Sequence, residues 1–346
     1  FTFDYVGALL ASLLFPLVLV PRLGLIRASC LFGLFNVLVA LMTAHVLQLH
    51  GRWAVATRWA AVSLVALLAS GMAWSGRILS WSEAQTYADP VVHAVSTPYQ
   101  RIVLTRGAGD LRLHLNGNLQ FSSRDEYRYH EALVHPGLSR LPLARRVLVL
   151  GGGDGLAIRE VLRHANVESV TLVDLDPAMT RLFGSQPLLK ALNSDAFGSG
   201  KVKVVNEDAF AWLERPQGTF DFVVVDFPDP TNFSLGKLYT TTFYRRLARV
   251  LAPGGAFVVQ CTSPWAARRA FWCVDATLHA SGFQTEPYHA YVPSFGEWGF
   301  ILASARPLAD EPRLPEGLRF VTTDTLRSMR EFPPDMARVP ADANQL

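Results

Sequence analysis

Residues 147–155 constrain the fold of this chain more than any other segment. Residues 147–150 are a run of aliphatic side chains, and four glycines and one aspartate separate them from an apolar segment with helical spacing. This pattern predicts a buried parallel strand, a tight turn and a following helix. Glycine lets a ligand approach the backbone, and a helix N-terminus favours negative charge. Asp154 within the turn would repel a pyrophosphate, so the turn predicts a cationic ligand.

Short apolar runs alternate with helical segments from Arg146 onward. The predicted strands cover residues 147–150, 169–173, 202–205, 220–225 and 256–260, with a late strand at residues 300–303. The predicted helices cover residues 156–164, 177–183, 209–213 and 241–251. Such alternation predicts an α/β fold with a doubly wound, mostly parallel, Rossmann-like sheet. Ligands of such sheets bind at the carboxyl ends of the strands.

Acidic residues follow four successive predicted strands, although the chain as a whole is slightly basic. They are Asp154 after the first, Asp174 and Asp176 after the second, Glu207 and Asp208 after the third, and Asp226 and Asp229 after the fourth. Because the carboxyl ends of parallel strands meet at one edge, we expect these side chains to line one pocket. A pocket lined by acids favours a ligand with several positive charges.

Structural roles remain open for some of these acids. Asp174 and Asp208 are each placed to cap the helix that follows, and for Asp208 a cap and a ligand contact can coexist. Asp229 precedes Pro230, a combination that is common in turns. Asp226 ends a buried run, where a charge without a cationic partner is costly, so a ligand role is favoured there.

A nucleoside with a positive charge fits this arrangement, which indicates an S-adenosyl sulfonium compound. Asp174 lies 23 residues after Gly151, an offset at which an acid commonly holds ribose hydroxyls. Decarboxylated S-adenosylmethionine ends in a bare ammonium, for which Asp154 is a better partner than for a carboxylated donor. The acceptor would be an amine near Asp226 and Asp229. An ammonium has no lone pair, so a carboxylate must accept a proton before the nitrogen attacks carbon.

Residues 96–304 resemble the spermidine synthase family, the polyamine aminopropyltransferases. The matching segments occur in the family's order at residues 96–100, 115–120, 124–131, 151–155, 173–176, 207–209 and 226–230. They include Tyr129-His-Glu131 and Gly151-Gly-Gly-Asp-Gly155. The fold of this family is a class I methyltransferase-type Rossmann domain with a small N-terminal β-hairpin domain. The apolar N-terminal part of the chain is similar to the membrane-embedded subgroup of these synthases.

The resemblance implies transfer of a 3-aminopropyl group from decarboxylated S-adenosylmethionine to putrescine or a related amine. The products would be spermidine and 5′-methylthioadenosine, and neither a metal nor a further cofactor is implied. Asp226 would be the catalytic acid–base carboxylate. The implied donor-binding residues are Gln100, Gln120, Gly151, Gly153, Asp154, Asp174 and Asp208. The implied acceptor-binding residues are Tyr129, His130 and Asp229.

Two departures from the family pattern lie on the acceptor side. Asp229-Pro-Thr-Asn-Phe233 stands where the family continues Asp-Pro-x-Gly-Pro, so we expect a differently built loop over the site. Phe295 stands where the family has a tyrosine near the acceptor amine. The lost hydroxyl removes one hydrogen bond and leaves the identity of the acceptor open. Glu297 and Tyr239 are candidates to compensate.

The N-terminal part of the chain is too apolar for an ordinary soluble domain. Segments of 17, 24 and 18 residues without Asp, Glu, Lys or Arg lie between Asp4 and Arg22, Arg27 and Arg52, and Arg58 and Arg77. A helix that crosses a bilayer needs about 20 apolar residues, so we expect about three spans. Three buried helices of a soluble core are the disfavoured alternative, because amphipathic faces are missing. The sequence begins on an apolar segment, so we expect a truncated form with spans missing upstream.

We expect four parts along the chain. They are transmembrane helices at residues 1–80, a connector and small β-domain with a helix at 81–138, the Rossmann-like domain at 139–306 and a proline-rich tail at 307–346. The donor is made in the cytosol, so we expect a multi-pass protein of a bacterial inner membrane with a cytoplasmic catalytic domain. Family resemblance also implies a homodimer.

Charge and cysteine content exclude other classes of protein. The net charge of +3 is too small for a nucleic-acid-binding surface. Cys30, Cys261 and Cys273 show neither a CxxC motif nor metal-ligand spacing, which fits a reducing compartment. Two alternatives remain: an S-adenosylmethionine-dependent methyltransferase, and a non-catalytic membrane protein that senses or transports polyamines. Charged residues inside the membrane would favour transport. The predicted spans offer His45 as the one ionisable candidate, so transport is disfavoured.

Overall fold

The computed structural model describes residues 2–48, 50–215, 218–230, 232–308 and 311–345. The chain divides into two compact units, Phe1–Asn118 and Leu119–Leu346. The four-part division expected from the sequence stays a prediction.

Helices precede β-strands in the first unit, and the last strand of their sheet begins at the final residue of that unit. The helices are α1 (Thr2–Leu14), α2 (Val20–Leu23), α3 (Leu25–Val46), α4 (Gly51–Ala73) and α5 (Ser75–Thr86), and the π-helical stretch Phe15–Leu19 joins α1 to α2. The strands β1 (Val91–Ser96), β2 (Arg101–Gly107), β3 (Asp110–Leu115) and β4 (Asn118–Ser122) form one sheet in that order. β1 and β3 each pair antiparallel with β2, so the small N-terminal hairpin sheet that the resemblance implies is present.

Helices α3 and α4 are apolar over 22 and 23 residues. They pack closely, since a Cβ on Gly33 would lie 3.0 Å from Leu68 and a Cβ on Gly71 would lie 3.3 Å from Cys30 Sγ. Within the described part of the chain, these two helices are long and apolar enough to cross a membrane, whereas the apolar stretch Asp4–Leu19 is shorter. The three expected spans stay a prediction.

The second unit alternates strands and helices. Its strands after β4 are β5 (Arg146–Gly151), β6 (Ser169–Asp174), β7 (Val202–Asn206), β8 (Phe220–Asp226), β9 (Leu251–Cys261), β10 (Gln284–Val292) and β11 (Gly296–Ser304). Its helices are α6 (Glu126–Leu138), α7 (Leu156–Val161), α8 (Pro177–Ser185), α9 (Pro187–Leu192), α10 (Ala209–Trp212), α11 (Phe233–Gly236), α12 (Thr241–Val250), α13 (Arg268–Ala280) and α14 (Thr323–Ser328).

The main sheet has the strand order β10-β11-β9-β8-β5-β6-β7. The strands from β5 to β9 run parallel, and β11 and β10 add an antiparallel edge. The predicted doubly wound, mostly parallel sheet is therefore confirmed. β10 was not predicted, because polar residues interrupt its apolar pattern and Pro287 lies within it. Proline is tolerated there because β10 is an edge strand.

Both faces of the main sheet are covered by apolar layers. Leu148 and Val223 point into one core and Val149 and Phe222 into the other, and all four are fully buried. Alternation along each strand supplies both layers. This explains why the central strands read as continuous apolar runs.

The C-terminal tail packs along the second unit. Val321, Leu326 and Met329 contribute to the same core as Val149. The buried carboxylate of Glu131, on α6, accepts hydrogen bonds from three consecutive backbone N–H groups, those of residues 319–321, at 2.8–2.9 Å. The tail is therefore fixed to the helix that carries the Tyr129-His-Glu131 motif.

Gly137 tests how closely α6 packs on the sheet. A Cβ there would lie 2.6 Å from Phe222 Cε2 and 2.7 Å from Leu302 Cδ1. Alanine favours a helix over glycine by about 1 kcal/mol, but overpacking a core costs about 1–3 kcal/mol. We expect Gly137→Ala to lower the free energy of unfolding in a denaturant titration. Gly200→Ala, at a position with open space, should leave it unchanged. Equal stability of both variants would contradict direct contact between α6 and the sheet.

Candidate active site

Strand pairing brings the predicted acids to one edge of the main sheet. Gly151, which ends β5, pairs with Asp226, which ends β8. Asp174, which ends β6, pairs with Asn206 at the end of β7. The chain continues from β5 to β6 on one side and returns to β8 on the other. The crevice above Gly151 is thus the topological switch point, where ligands of such sheets bind.

The loop after β5 has a backbone suited to glycine. The φ angles of Gly151, Gly152 and Gly155 are +81°, +68° and +77°. A Cβ on Gly151 would collide with the carbonyl oxygen of Asp226, and a Cβ on Gly153 would lie 2.7 Å from the carboxylate of Asp174. Glycines at these positions therefore let the acids of the neighbouring strands approach the loop.

Asp226 is paired with a tyrosine. The hydroxyl of Tyr129 donates to Asp226 Oδ1 at 2.6 Å. Burial raises the pKa of Asp226 to about 6, against the opposing effects of the His130 charge and the Tyr129 hydrogen bond. Burial, together with Asp226 itself, raises the pKa of Tyr129 well above its ordinary value, so this hydroxyl stays a donor. Asp226 is ionised near neutral pH and still able to take a proton, as a general base must be.

Asp174 faces the loop rather than capping a helix. Burial raises its pKa to about 6, while the backbone N–H groups of Asp176 and Gly153 oppose that rise. Asp176 is the residue that caps α8, since its Oδ1 accepts from the N–H of Ala178 at 3.0 Å. The capping alternative for Asp174 is therefore wrong, and its contact with a ribose stays a prediction.

Asp154 lies at the turn into α7. Its Oδ1 accepts from the N–H of Leu156 at 2.9 Å. Burial raises the pKa of Asp154, and the charge of His130 opposes the rise. The fully buried Asn193 donates from Nδ2 to the carbonyl oxygen of Asp154 at 2.9 Å. Sequence reasoning missed Asn193, because a single asparagine gives no signal of this contact.

Asp208 is already engaged on both oxygens. Oδ1 caps α10 by accepting from the N–H of Phe210 at 2.8 Å, which confirms the predicted cap. Oδ2 lies 2.6 Å from Lys237 Nζ. Lys237 also lies over the ring of Phe210. A contact of Asp208 with adenine stays a prediction, and neighbouring Glu207 pairs with Arg215.

Asp229 presents an oxygen that has no hydrogen-bond partner among the described residues. This buried atom is Oδ1. Burial raises the pKa of Asp229, against hydrogen bonds from Thr262 and Gln260. Trp298 Nε1 donates to Gln260 Oε1 at 2.9 Å. A buried acceptor without a donor is costly, so this end of the site is suited to a cation.

Aromatic rings adjoin Tyr129. Its ring centroid lies 6.3 Å from that of Phe295 and 6.4 Å from that of Trp298. The two residues suggested to compensate for Phe295 are engaged elsewhere. The hydroxyl of Tyr239 donates to the carbonyl oxygens of Phe227 and Pro228. The carboxylate of Glu297 is bonded to His289 Nδ1.

His130 is buried against Glu126, one turn earlier in α6. Its Nδ1 lies 2.8 Å from the carbonyl oxygen and 2.9 Å from Oε2 of Glu126. Sequence reasoning missed Glu126, because a glutamate in the first turn of a helix ordinarily indicates a solvated end. The four-residue spacing to His130 was the available signal.

The two predicted glutamines lie outside the main sheet, Gln100 in the turn between β1 and β2 and Gln120 in β4. Gln100 belongs to the first unit, where its N–H bonds to Thr97 Oγ1 at 3.0 Å. Their contact with a donor stays a prediction. Within the described ranges, no group of three or more His, Cys, Asp or Glu residues is arranged to hold a metal ion.

The chain is similar to known proteins in sequence. Residues 126–312 match the family model of the spermine/spermidine synthase domain. A polyamine aminopropyltransferase of Ralstonia nicotianae is 55% identical over 353 residues, which cover 100% of this chain and 69% of that protein. A polyamine aminopropyltransferase of Leptospira interrogans is 51% identical over 343 residues, which cover 99% of this chain and 69% of that protein.

Solved structures share the fold. A spermidine synthase from Thermotoga maritima gives a TM-score of 0.62 at 23% identity, over 70% of this chain and 84% of that chain. A spermidine synthase in complex with the transition-state analogue AdoDATO gives the same TM-score and identity, over 70% of this chain and 85% of that chain. These likenesses support the predicted Rossmann-like fold of the second unit.

The raised pKa of Asp226 predicts how its removal affects stability. The folded-state pKa is about 6, above the unfolded value near 3.9, so ionisation destabilises the folded protein at high pH. We expect Asp226→Asn to raise Tm at pH 8. Linkage predicts that this free-energy advantage falls to roughly half at pH 5, because the folded wild type is then mostly protonated.

Thermal denaturation at the two pH values measures this effect. Asp324→Asn is the control, because Asp324 is an exposed acid outside the site and its removal separates loss of a carboxylate from loss of a buried one. An advantage of Asp226→Asn that is constant, or larger at pH 5, would contradict the raised pKa.

Proposed function

Since the chain belongs to the spermine/spermidine synthase family, we propose that it transfers a 3-aminopropyl group from decarboxylated S-adenosylmethionine to putrescine or a related amine. The products are spermidine and 5′-methylthioadenosine. The observation that carries the proposal is the pair of Asp226 and Tyr129 at the switch point, next to further buried carboxylates. The names of the relatives at 55% and 51% identity support the same reaction.

The donor brings two positive charges, a sulfonium and an ammonium. In the proposal, Asp154 binds the ammonium and Asp174 accepts hydrogen bonds from the ribose hydroxyls. Gly151 and Gly153 let the donor approach the backbone, and Gln100, Gln120 and Asp208 contact the nucleoside. The raised pKa values of Asp154 and Asp174 support this assignment, because a cation beside them would favour their ionised forms.

The acceptor enters as an ammonium ion. Asp226 takes one proton from its reacting nitrogen. The free amine then attacks the carbon next to sulfur, the new C–N bond forms, and the electrons of the breaking C–S bond return to sulfur. The products are a secondary ammonium and the neutral thioether, and Asp226 releases its proton to solvent. Holding nitrogen and carbon in line supplies much of the remaining rate.

The other end of the acceptor meets Asp229 in the proposal. Its unpartnered buried oxygen supports binding of a second ammonium group. Tyr129 and His130 line the channel between the two ends. Phe295 adds an apolar ring and no hydroxyl, so recognition at this end depends on charge and on packing against aromatic rings.

Product analysis tests the proposed reaction. Purified full chain with decarboxylated S-adenosylmethionine and putrescine should release 5′-methylthioadenosine, measured by chromatography. Asp226→Asn should lower kcat by about 100-fold or more, as expected for loss of a general base, and should keep its affinity for the donor.

Asp221→Asn is the matched control for this experiment. Asp221 lies in β8, the strand that Asp226 ends, but its carboxylate accepts from the backbone N–H groups of Arg145 and Arg146. This variant should keep full turnover. Intact donor after incubation with the wild type would refute the reaction. Methyl transfer from S-adenosylmethionine, with tighter binding of that carboxylated donor, would instead identify a methyltransferase.

We also propose that the chain is a multi-pass membrane protein whose second unit lies in the cytoplasm. The lengths of α3 and α4 support this, as do their outward-facing apolar side chains. Among the described side chains, α3 buries Ala28 and Val37 and α4 buries none. A soluble protein that exposed so much contiguous apolar surface would aggregate.

A charge on the outer face of α3 tests the membrane proposal. Val39 in α3 is 59% exposed, and an arginine near the middle of a span costs about 2.5–3.5 kcal/mol of insertion free energy. We expect Val39→Arg to reduce the fraction of chain that stays in the membrane pellet after carbonate extraction. Val92→Arg, at a valine of β1 that is 54% exposed, should have no effect. Full extraction of the wild type would contradict the proposal.

A further inference from the structure

A chain of ionisable side chains leads away from the candidate active site through the second unit. Its members, in order of contact, are His130, Glu126, Arg159, Glu160, His135 and His164. All of them are buried except Arg159, which is partly exposed. The proposed reaction gives a part to His130 alone.

Glu126 fixes the orientation of the His130 ring. Both contacts of Nδ1 are to oxygens of Glu126, so Nδ1 carries the proton and Nε2 faces away from that residue. Arg159 in turn holds Glu126 with two parallel hydrogen bonds of 2.8 and 2.9 Å. The same guanidinium donates to the carbonyl oxygen of Leu192 at 2.8 Å. The carboxylate of Glu126 and the guanidinium of Arg159 are therefore each held by more than one hydrogen bond.

We propose that Glu126 and Arg159 are a positioning pair, which fixes the imidazole ring of His130 and controls the charge that this ring brings to the site. The inference rests on the proposed function, because it assigns to His130 a place beside the reacting amine. A rigid fork of five donors suits arginine to this task, since it holds a carboxylate in one orientation.

Several titratable side chains lie around His130. Glu126 and the Tyr129 ring lie on its own helix, Asp154 follows β5 and Asp226 ends β8. Burial alone would lower the pKa of His130, but the hydrogen bond and charge of Glu126 raise it, and Asp154 and Asp226 add to that effect. A protonated ring would cancel part of the negative charge that the cationic substrates need. A neutral ring would leave that charge intact.

Arg159 limits how far Glu126 raises the pKa of His130. Burial alone would raise the pKa of Glu126, but the hydrogen bonds from His130 and Arg159 lower it. Glu126 is therefore anionic, and it shares its charge between the imidazole and the guanidinium. Without Arg159, the whole charge would act on His130 and favour the protonated ring.

The other half of the network provides a matched comparison. Arg159 Nε donates to Glu160 Oε1 at 2.7 Å, and Glu160 Oε2 lies 3.0 Å from His135 Nε2. Glu160 and His135 thus form a second glutamate–histidine pair like that of Glu126 and His130, and all four side chains are buried. Neither of them touches an acid of the candidate site in these contacts. Glu160→Gln therefore controls for loss of a buried charge.

The first experiment measures the ring of His130 in the full chain without substrate. Histidine is labelled with 15N, and the His130 resonance is the one that disappears in His130→Gln. We expect Glu126→Gln to lower the pKa of His130 and Glu160→Gln to leave it unchanged. Equal pKa values of His130 in the wild type and Glu126→Gln would overturn the proposal.

The second experiment is a double-mutant cycle on turnover. Because misplacement of a group at the site costs up to about 100-fold, we expect Glu126→Gln to lower kcat by about tenfold or more. In a His130→Gln background the same change should cost less than about twofold, since the ring it positions is gone. Glu160→Gln should lower Tm and keep kcat.

Multiplicative losses in the cycle would overturn the inference, as would equal losses of kcat in Glu126→Gln and Glu160→Gln. Arg159→Lys, which keeps the charge but loses the fork, is the second variant if Glu126→Gln does not fold. It should change kcat in the same direction and by less. A wild type without turnover would refute the proposed function, whereas the NMR titration would still decide whether Glu126 positions His130.

Discussion

Burial of carboxylates without strong cationic partners is the constraint on which the site depends. Asp174 and Asp226 have pKa values raised to about 6, and the groups that oppose the rise are backbone N–H groups, a phenol and an imidazole. Asp208 and Glu207 differ, because each already holds a basic side chain. The unbalanced acids surround the switch point, so a polycationic ligand would complete the folded structure there, and its binding would be coupled to loss of protons.

Much of the fold was predictable because both faces of the central strands are buried, which leaves continuous apolar runs in the sequence. The acids were predictable as a group, because parallel strands end at one edge. The pattern failed for β10, whose residues alternate, and for the start of β9, which begins at Leu251 rather than at the predicted residue 256. Glycine at 255 is required there, since a Cβ would lie 2.9 Å from the carbonyl oxygen of Asp221.

The partners of site residues were the part that sequence could not provide. Arg159 and Asn193 contact Glu126 and Asp154 across 33 and 39 positions of the chain. From sequence alone, a charged residue in a helix is predicted to lie on the surface, because its buried partner comes from a distant part of the chain. The same limit applied to Tyr239 and Glu297. Each carries a polar group that could replace the missing tyrosine hydroxyl. In the structure, however, the hydroxyl of Tyr239 bonds to backbone carbonyls and the carboxylate of Glu297 bonds to His289.

Adjacent residues of the Tyr129-His-Glu131 motif belong to different parts of the machinery. His130 faces the carboxylates of the crevice, whereas Glu131 binds three amides of a segment nearly 190 positions later. Alanine scanning of this motif would therefore record two inactive enzymes for unrelated reasons. The variant at His130 would be a correctly folded protein with altered chemistry. The variant at Glu131 would have lost the hydrogen bonds that hold its C-terminal tail.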